Sequence, residues 1–316
     1  MKIAILDDFQ DSVRTLKCFE KLRAHDVLVL NEHIDDAHVL SQKLQGVQAL
    51  ILIRERSFIT AKLLALLPEL KIIAQAGKTG RHLDLQACKA QGIVVFETQG
   101  TSVANAEFTL LMVLASLRNF PQEVANMEAG LWQRSIGRQL HGRTLAILGL
   151  GRIGEQVARA GQALGAHVLI WGRESSRNKA QLNGWHFASS REEFFSKADV
   201  LCVLLRLSPQ TTHYVTASDL ALMKSDAILV NTARAEVIEA GALYSALKLG
   251  RPGFAAVDVY EQEPVLTQRH PLQELDNCLC TPHLGFVERD NYENYMSQAF
   301  DHINSMADAL VKSARN

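Results

Sequence analysis

The sequence predicts an α/β protein made of two doubly wound parallel sheets, and three observations carry that prediction. Short apolar runs recur along the whole chain, separated by stretches with helical spacing. The runs are apolar throughout rather than alternating, as in strands covered on both faces. No block of consecutive strands interrupts the alternation, which is the pattern of βαβ units. A chain of 316 residues, 47% of them hydrophobic, has the length and apolar content for about two such domains.

The first unit starts at once with Ile3-Ala4-Ile5-Leu6. Ala49-Leu50-Ile51-Leu52-Ile53, Lys71-Ile72-Ile73-Ala74 and Gly92-Ile93-Val94-Val95-Phe96 follow as buried strands. Residues 102–117 read as one long apolar helix that ends near Pro121. From His141 a second alternation begins, with strands over 144–148, 167–171, 200–205, 227–230 and 254–257. Thr216-Ala217-Ser218-Asp219 has capping-box spacing and marks a helix start. The stretch 287–311 reads as a single helix with no strand of its own, expected to fold back on the first unit. The expected division is a discontinuous domain, 1–99 with 285–316, and a second domain, 100–284, with a cleft between them.

Composition narrows the function. A net charge of -1 argues against nucleic acid or an anionic membrane as main partner. The longest wholly apolar run, 110–115, is far too short to cross a bilayer. Met1-Lys2 leads directly into a strand without a cleavable signal pattern, so a cytoplasmic protein is expected. Five scattered cysteines suit reduced thiols. Cys278 and Cys280 are expected on opposite faces of a strand, and no HExxH or CxxC pair occurs, so no metal is implied.

Leu148-Gly149-Leu150-Gly151-Arg152-Ile153-Gly154 closes one of the predicted strands and opens a helical pattern. This Gly-x-Gly-x-x-Gly match is strong because of its placement. Gly149 turns the chain off the strand, Gly151 lets the backbone approach a pyrophosphate, and Gly154 packs helix on strand. The domain 100–284 is therefore expected to bind the dinucleotide and the domain 1–99 with 285–316 the substrate, both being Rossmann-like or flavodoxin-like units. Gly77-Lys78-Thr79 superficially ends a Walker motif, but Ile72 occupies the position of its required first glycine.

Three segments follow later strands: Asn231-Thr232-Ala233-Arg234, Asp258-Val259-Tyr260-Glu261-Gln262-Glu263-Pro264 and Thr281-Pro282-His283-Leu284-Gly285. Ligands of open parallel sheets bind beyond the carboxyl ends of strands, where all three lie. An arginine fork suits a carboxylate, and a histidine beside a carboxylate suits proton exchange near neutrality. Each residue has a plainer reading too: Arg234 as a strand-end ion pair, His283 as a loop histidine, Lys78 as a solvated rim residue, Arg54 as a surface partner of Glu55. Glu261 competes with Glu263 as the histidine's partner, and adjacency to Pro264 favours Glu263.

The order GLGRIG, NTAR, DVYEQEP and TPHLG resembles the D-isomer-specific 2-hydroxyacid dehydrogenases, the family of phosphoglycerate, glyoxylate and hydroxypyruvate reductases. The resemblance implies hydride transfer between a nicotinamide and a small 2-keto or D-2-hydroxy acid. It implies that Arg234 binds the substrate carboxylate, that His283 is the acid–base residue and that Glu263 pairs with it. Asp258 would meet the nicotinamide carboxamide, Thr232 and Ala233 its ring, and Arg152 and Ile153 the pyrophosphate. Leu205, Gly172 and Gly285 would join the cofactor surface, and Gly77, Lys78 and Arg54 the substrate. A homodimer is implied, with 102–117 and 130–132 as contact surface. The same fold also serves dinucleotide-sensing corepressors, the alternative reading.

One departure bears on the cofactor. NAD-dependent members usually carry an acidic residue at the end of the second strand of the nucleotide fold. Here Trp171 is followed by Gly172-Arg173-Glu174-Ser175-Ser176-Arg177. Arg173, Ser175, Ser176 and Arg177 suit a 2′-phosphate, so NADP is expected to be preferred over NAD. Ala235, Leu204 and Arg206 also depart from common family residues.

Overall fold

The computed structural model describes residues 1–313, and the side chains of 1–309. The chain divides into two compact units, Met1–Thr101 with the chain from Val287 onward, and Ser102–Phe286.

The first unit holds a parallel sheet of five strands: β1 (Lys2–Leu6), β2 (Asp26–Val29), β3 (Ala49–Ile53), β4 (Ile72–Ala76) and β5 (Val94–Glu97). Their order is β2-β1-β3-β4-β5, with Ile3 opposite Ala49 and Ala49 opposite Ile72. This is the flavodoxin-like winding. Every residue of β3 and β4 is buried, which is why both read as unbroken apolar runs. Short helices begin on side-chain caps: Asp36 accepts the amides of His38 and Val39, Thr60 that of Leu63, and Asp84 that of Ala87. The helix Arg289–Ser313 belongs to this unit and buries Phe300 and Ile303.

The second unit has seven parallel strands: β6 (Thr144–Leu148), β7 (His167–Trp171), β8 (His186–Phe187), β9 (Val200–Val203), β10 (Ile228–Asn231), β11 (Phe254–Val257) and β12 (Cys278–Cys280). The order is β12-β11-β10-β9-β6-β7-β8, so the winding reverses between β6 and β9. That reversal is where such sheets open a ligand crevice. Successive strand residues enter cores on opposite faces: Leu201 and Leu229 pack with Phe194, Phe195 and Leu220, whereas Cys202 and Val230 pack with Val113, Val157 and Val168. The capping box at Thr216 and Asp219 is formed.

Several local expectations need correction. Pro121 sits in the first turn of a second helix, Phe120–Glu128, that follows Val103–Leu117. Proline is tolerated there because the first-turn amides have no intrahelical partner. The strand at 200 stops at Val203, so Leu204 and Leu205 lie beyond the sheet. The expectation for Cys278 and Cys280 is overturned. Residues two apart on a strand share a face, and their sulfurs lie 3.8 Å apart. No helix among the described residues is long and apolar enough to cross a membrane.

Candidate active site

The glycine loop follows β6. Gly149 has φ +96° and donates its amide to Trp171 O at 3.0 Å. A Cβ there would stand 2.9 Å from Leu205 Cδ2, so Leu205 backs the turn. A Cβ on Gly154 would stand 2.3 Å from Gly149 O, which holds the helix Arg152–Ala163 tight against the loop. Gly151 differs, because a Cβ there would meet nothing within 4 Å. It N-caps that helix, and no side chain of the described residues caps the first-turn amides around Arg152 and Ile153. Open space over uncapped amides at a positive helix end fits a pyrophosphate.

Beyond β7 the chain turns at Gly172, where a Cβ would lie 2.7 Å from Ser176 Oγ. Ser176 is therefore buried under the turn, while Arg173 and Ser175 are exposed at the start of the helix Glu174–Leu182. Arg177 lies over the Phe187 ring at 4.6 Å and pairs with Glu174 at 3.4 Å. Of the four polar residues expected near a 2′-phosphate, Arg173 and Ser175 face solvent uncommitted to such contacts.

The remaining chemistry stands at the ends of three adjacent strands. After β10, Asn231 accepts the Ala233 amide at 3.1 Å and donates to Arg234 O at 3.0 Å, shaping the turn that presents Arg234. Arg234 Nη1 donates to Ala233 O at 2.7 Å. Thr232 Oγ1 lies 2.7 Å from Thr109 Oγ1, which anchors the turn to the helix Val103–Leu117. After β11, Asp258 is buried and accepts Thr281 Oγ1 and the Leu284 amide on Oδ1, both at 2.7 Å, and the Gly285 amide on Oδ2 at 2.8 Å. Burial pushes its carboxyl up, opposed by these donors and by His283. Three acceptor sites thus tie down the 281–285 loop, which leaves one for a ligand. At Gly285 a Cβ would lie 2.7 Å from Asn105 Oδ1 and 3.2 Å from Asp258 Oδ2, so the position has little room for a side chain.

His283 stands in that loop with φ +51°, and its Nδ1 faces Glu263 Oε2 at 2.5 Å. Glu263 Oε1 accepts the Tyr260 amide at 2.9 Å. Glu261 goes elsewhere, to His270 Nε2 at 2.9 Å. Tyr260 also donates its hydroxyl to Thr281 O at 3.0 Å, so one residue holds both the carboxylate turn and the histidine loop. The imidazole is edge-on to Phe286, with 5.5 Å between ring centroids. A partly exposed imidazole with one nitrogen on a carboxylate can exchange a proton through the other.

In the first unit, the Arg54 guanidinium crosses Gly77, where a Cβ would lie 2.1 Å from Nη1. Thr98 Oγ1 accepts the Gly77 amide at 3.2 Å. Lys78 pairs with Glu97 at 2.6 Å, and Thr79 donates to the same carboxylate. Lys78, then Thr79, holds the Glu97 carboxyl at about 2. Lys78 therefore braces its own loop through Glu97. Asn231, Tyr260, Glu97 and Thr109 had no assigned role in the sequence. Only Asn231 carried a local signal, an Asx residue two before an amide at a strand end. Among the described residues no group of three or more His, Cys, Asp or Glu side chains is placed to hold a metal.

Residues 110–285 match the family model described as "D-isomer specific 2-hydroxyacid dehydrogenase, NAD binding domain". The chain is 35% identical over 249 residues to the D-3-phosphoglycerate dehydrogenase of Methanocaldococcus jannaschii, covering 78% of this chain and 47% of that protein. It is 34% identical over 263 residues to the glyoxylate reductase of Aeropyrum pernix, covering 80% of this chain and 78% of that one. The chain thus spans about half the length of the M. jannaschii relative. The crystal structure of a phosphoglycerate oxidoreductase from Vibrio Cholerae o395 superposes with a TM-score of 0.95 at 47% identity, covering 98% of this chain and 99% of that one. The corepressor alternative gains no support from these relatives.

Proposed function

The chain belongs to the D-isomer-specific 2-hydroxyacid dehydrogenase family, and from that premise we propose that it is an NAD(P)-dependent reductase of small 2-keto acids. Glyoxylate and hydroxypyruvate, the substrates named in two relatives, are the first candidates. The observation that carries the reading is the 2.5 Å contact between His283 Nδ1 and Glu263, in a loop that Asp258 and Tyr260 both hold. A bound nicotinamide dinucleotide would supply or accept the hydride. The substrate carboxylate docks on the Arg234 fork, whose planar donors match two oxygens. His283 gives a proton to the carbonyl oxygen from Nε2, and Glu263 stabilises the charged ring and keeps Nδ1 as donor. In the reverse direction His283 takes that proton back. The second unit is the dinucleotide domain in this reading, and the first, through Arg54 and Gly77, the substrate domain.

NADP(H) is the preferred cofactor in this proposal. No carboxylate ends β7, Glu174 is engaged by Arg177, and Arg173 and Ser175 stand exposed at an uncapped helix start. The protein acts as a cytoplasmic homodimer, joined through 102–117 and 130–132. Its apolar side chains are exposed there, Trp132 at 73%. Turnover of a panel of 2-keto acids with NADPH and NADH tests the reading. Absence of turnover with every pair rejects the reductase, and a higher kcat/KM for NADH rejects the NADP preference. A monomer mass by light scattering rejects the dimer.

A further inference from the structure

Strand β12 carries two thiols that the dehydrogenase reading does not use. Cys278 and Cys280 are free and half-buried, with their sulfurs 3.8 Å apart on one face of an edge strand. The chain's other cysteines stand alone and buried, and burial pushes the Cys18 and Cys202 thiols up to about 12. Cys280 moves the other way. The Cys278 thiol stabilises its thiolate, and burial opposes this. We propose that Cys278 and Cys280 form an oxidation site, at which Cys280 reacts first with a hydroperoxide and Cys278 then closes a disulfide.

The chemistry balances within the pair and the peroxide. The Cys280 thiolate attacks one peroxide oxygen, forming an S–O bond and breaking the O–O bond, and the departing hydroxide is protonated to water. The Cys278 thiol then attacks that sulfur, giving its proton to the departing hydroxide, so that the S–S bond forms and water leaves. Two thiols and one hydrogen peroxide give one disulfide and two waters. Each sulfur is oxidised by one electron and the peroxide is reduced by two.

Closure would reach the His283 loop through the backbone. Residues two apart on a strand are separated by about 6.6 Å, the upper edge of the span a disulfide bridges, so the strand must shorten as the sulfurs close. Among the described residues β12 pairs with β11 alone, with Cys280 opposite Val257, and the Thr281 amide donates to Val257 O at 3.0 Å. Thr281 is also the residue that Tyr260 and Asp258 hold. Shortening β12 therefore pulls on the anchor of the 281–285 loop, and the strained bond is easily reduced.

Hydrogen peroxide treatment of the full chain, followed by peptide mapping and amide hydrogen exchange, tests this. The peptide holding both cysteines is expected to lose two hydrogens and regain them with dithiothreitol. In the oxidised protein the Leu284 and Gly285 amides should exchange at least about tenfold faster, with the Arg152–Ala163 amides unchanged. In Cys278→Ser, Cys280 should stop at sulfenic acid and be captured by dimedone. Cys280 remaining a thiol, or passing to sulfinic acid in the wild type without a disulfide, overturns the site. Unchanged exchange at Leu284 and Gly285 in the disulfide form overturns its link to the loop. Should Cys278→Ser fail to fold, the wild-type map and exchange decide alone.

Discussion

Replacing Glu263 by glutamine tests the imidazole–carboxylate couple with almost no change of shape. Glu263 uses both oxygens, Oε1 for the Tyr260 amide at 2.9 Å and Oε2 for His283 Nδ1 at 2.5 Å. A glutamine amide has one acceptor oxygen, so one of these two donors would face an NH2 group. If Tyr260 keeps the oxygen, the charged imidazole that gives the proton loses its partner. If His283 keeps it, the carboxylate's charge is still gone. A hydrogen bond to a charged group contributes about 1.5–3 kcal/mol, and each 1.36 kcal/mol is tenfold in rate, so kcat should fall roughly 10–150-fold. Dinucleotide affinity should change less than about twofold, because Glu263 contacts none of the glycine-loop residues. Glu261→Gln is the internal control. Glu261 is about half exposed and bonded to His270, so its loss should cost less than about threefold. Steady-state kcat and KM with a 2-keto acid, beside fluorescence titration of the dinucleotide, supply the readout. The reasoning is refuted by an E263Q enzyme with nearly wild-type kcat, or by E261Q proving as damaging.

Other predictions follow from the same geometry. Gly154→Ala would drive a Cβ to 2.3 Å from Gly149 O, an overpacking worth about 1–3 kcal/mol, or roughly 2–12 °C in Tm at this size. Gly151→Ala meets nothing within 4 Å, so it should leave Tm alone and weaken dinucleotide binding, and equal Tm losses would refute the distinction. Arg234→Lys should raise KM and lower kcat together, since a point charge cannot replace the fork, and an unchanged KM would mean that another group holds the carboxylate. His33, buried between Asp7 at 2.9 Å and Asp35 at 2.7 Å, titrates above its ordinary value, chiefly through the Asp7 hydrogen bond. Its stabilisation is full below the unfolded value of about 6.5 and disappears as pH rises through the higher folded value. Urea midpoints of His33→Gln should therefore fall less than those of the wild type from pH 6 upward, and parallel curves would remove His33 from this role.

Most of the fold was legible because a parallel strand buried on both faces leaves an unbroken apolar run, as Ala49–Ile53 and Thr144–Leu148 do. β2 and β8 escaped for the complementary reason. Both are sheet edges, β2 opens on an exposed Asp26, and β8 is two residues long, so neither offers a run to read. Pro121 punctuates the helix before it in the sequence pattern, whereas its missing amide suits the first turn of the next. The opposite-face expectation for Cys278 and Cys280 runs against the strand period, since two residues along a strand return to the same face.

The site divides along the same line between local and distant causes. Gly149, Gly151 and Gly154 were readable because each answers a demand made by its neighbours in the chain. Locally, only adjacency to Pro264 favours Glu263 over Glu261. The choice depends on His283, twenty residues on, and on His270 capturing the competitor. Asp258 is similar, because a buried carboxylate after β11 has no visible purpose until Thr281, Leu284 and Gly285 arrive after β12. Tyr260 completes the point, with its amide on Glu263 and its hydroxyl on Thr281. Whatever moves the end of β12 reaches His283 along the backbone and Glu263 by way of Tyr260, so the couple's geometry is a property of two neighbouring strands rather than of either motif.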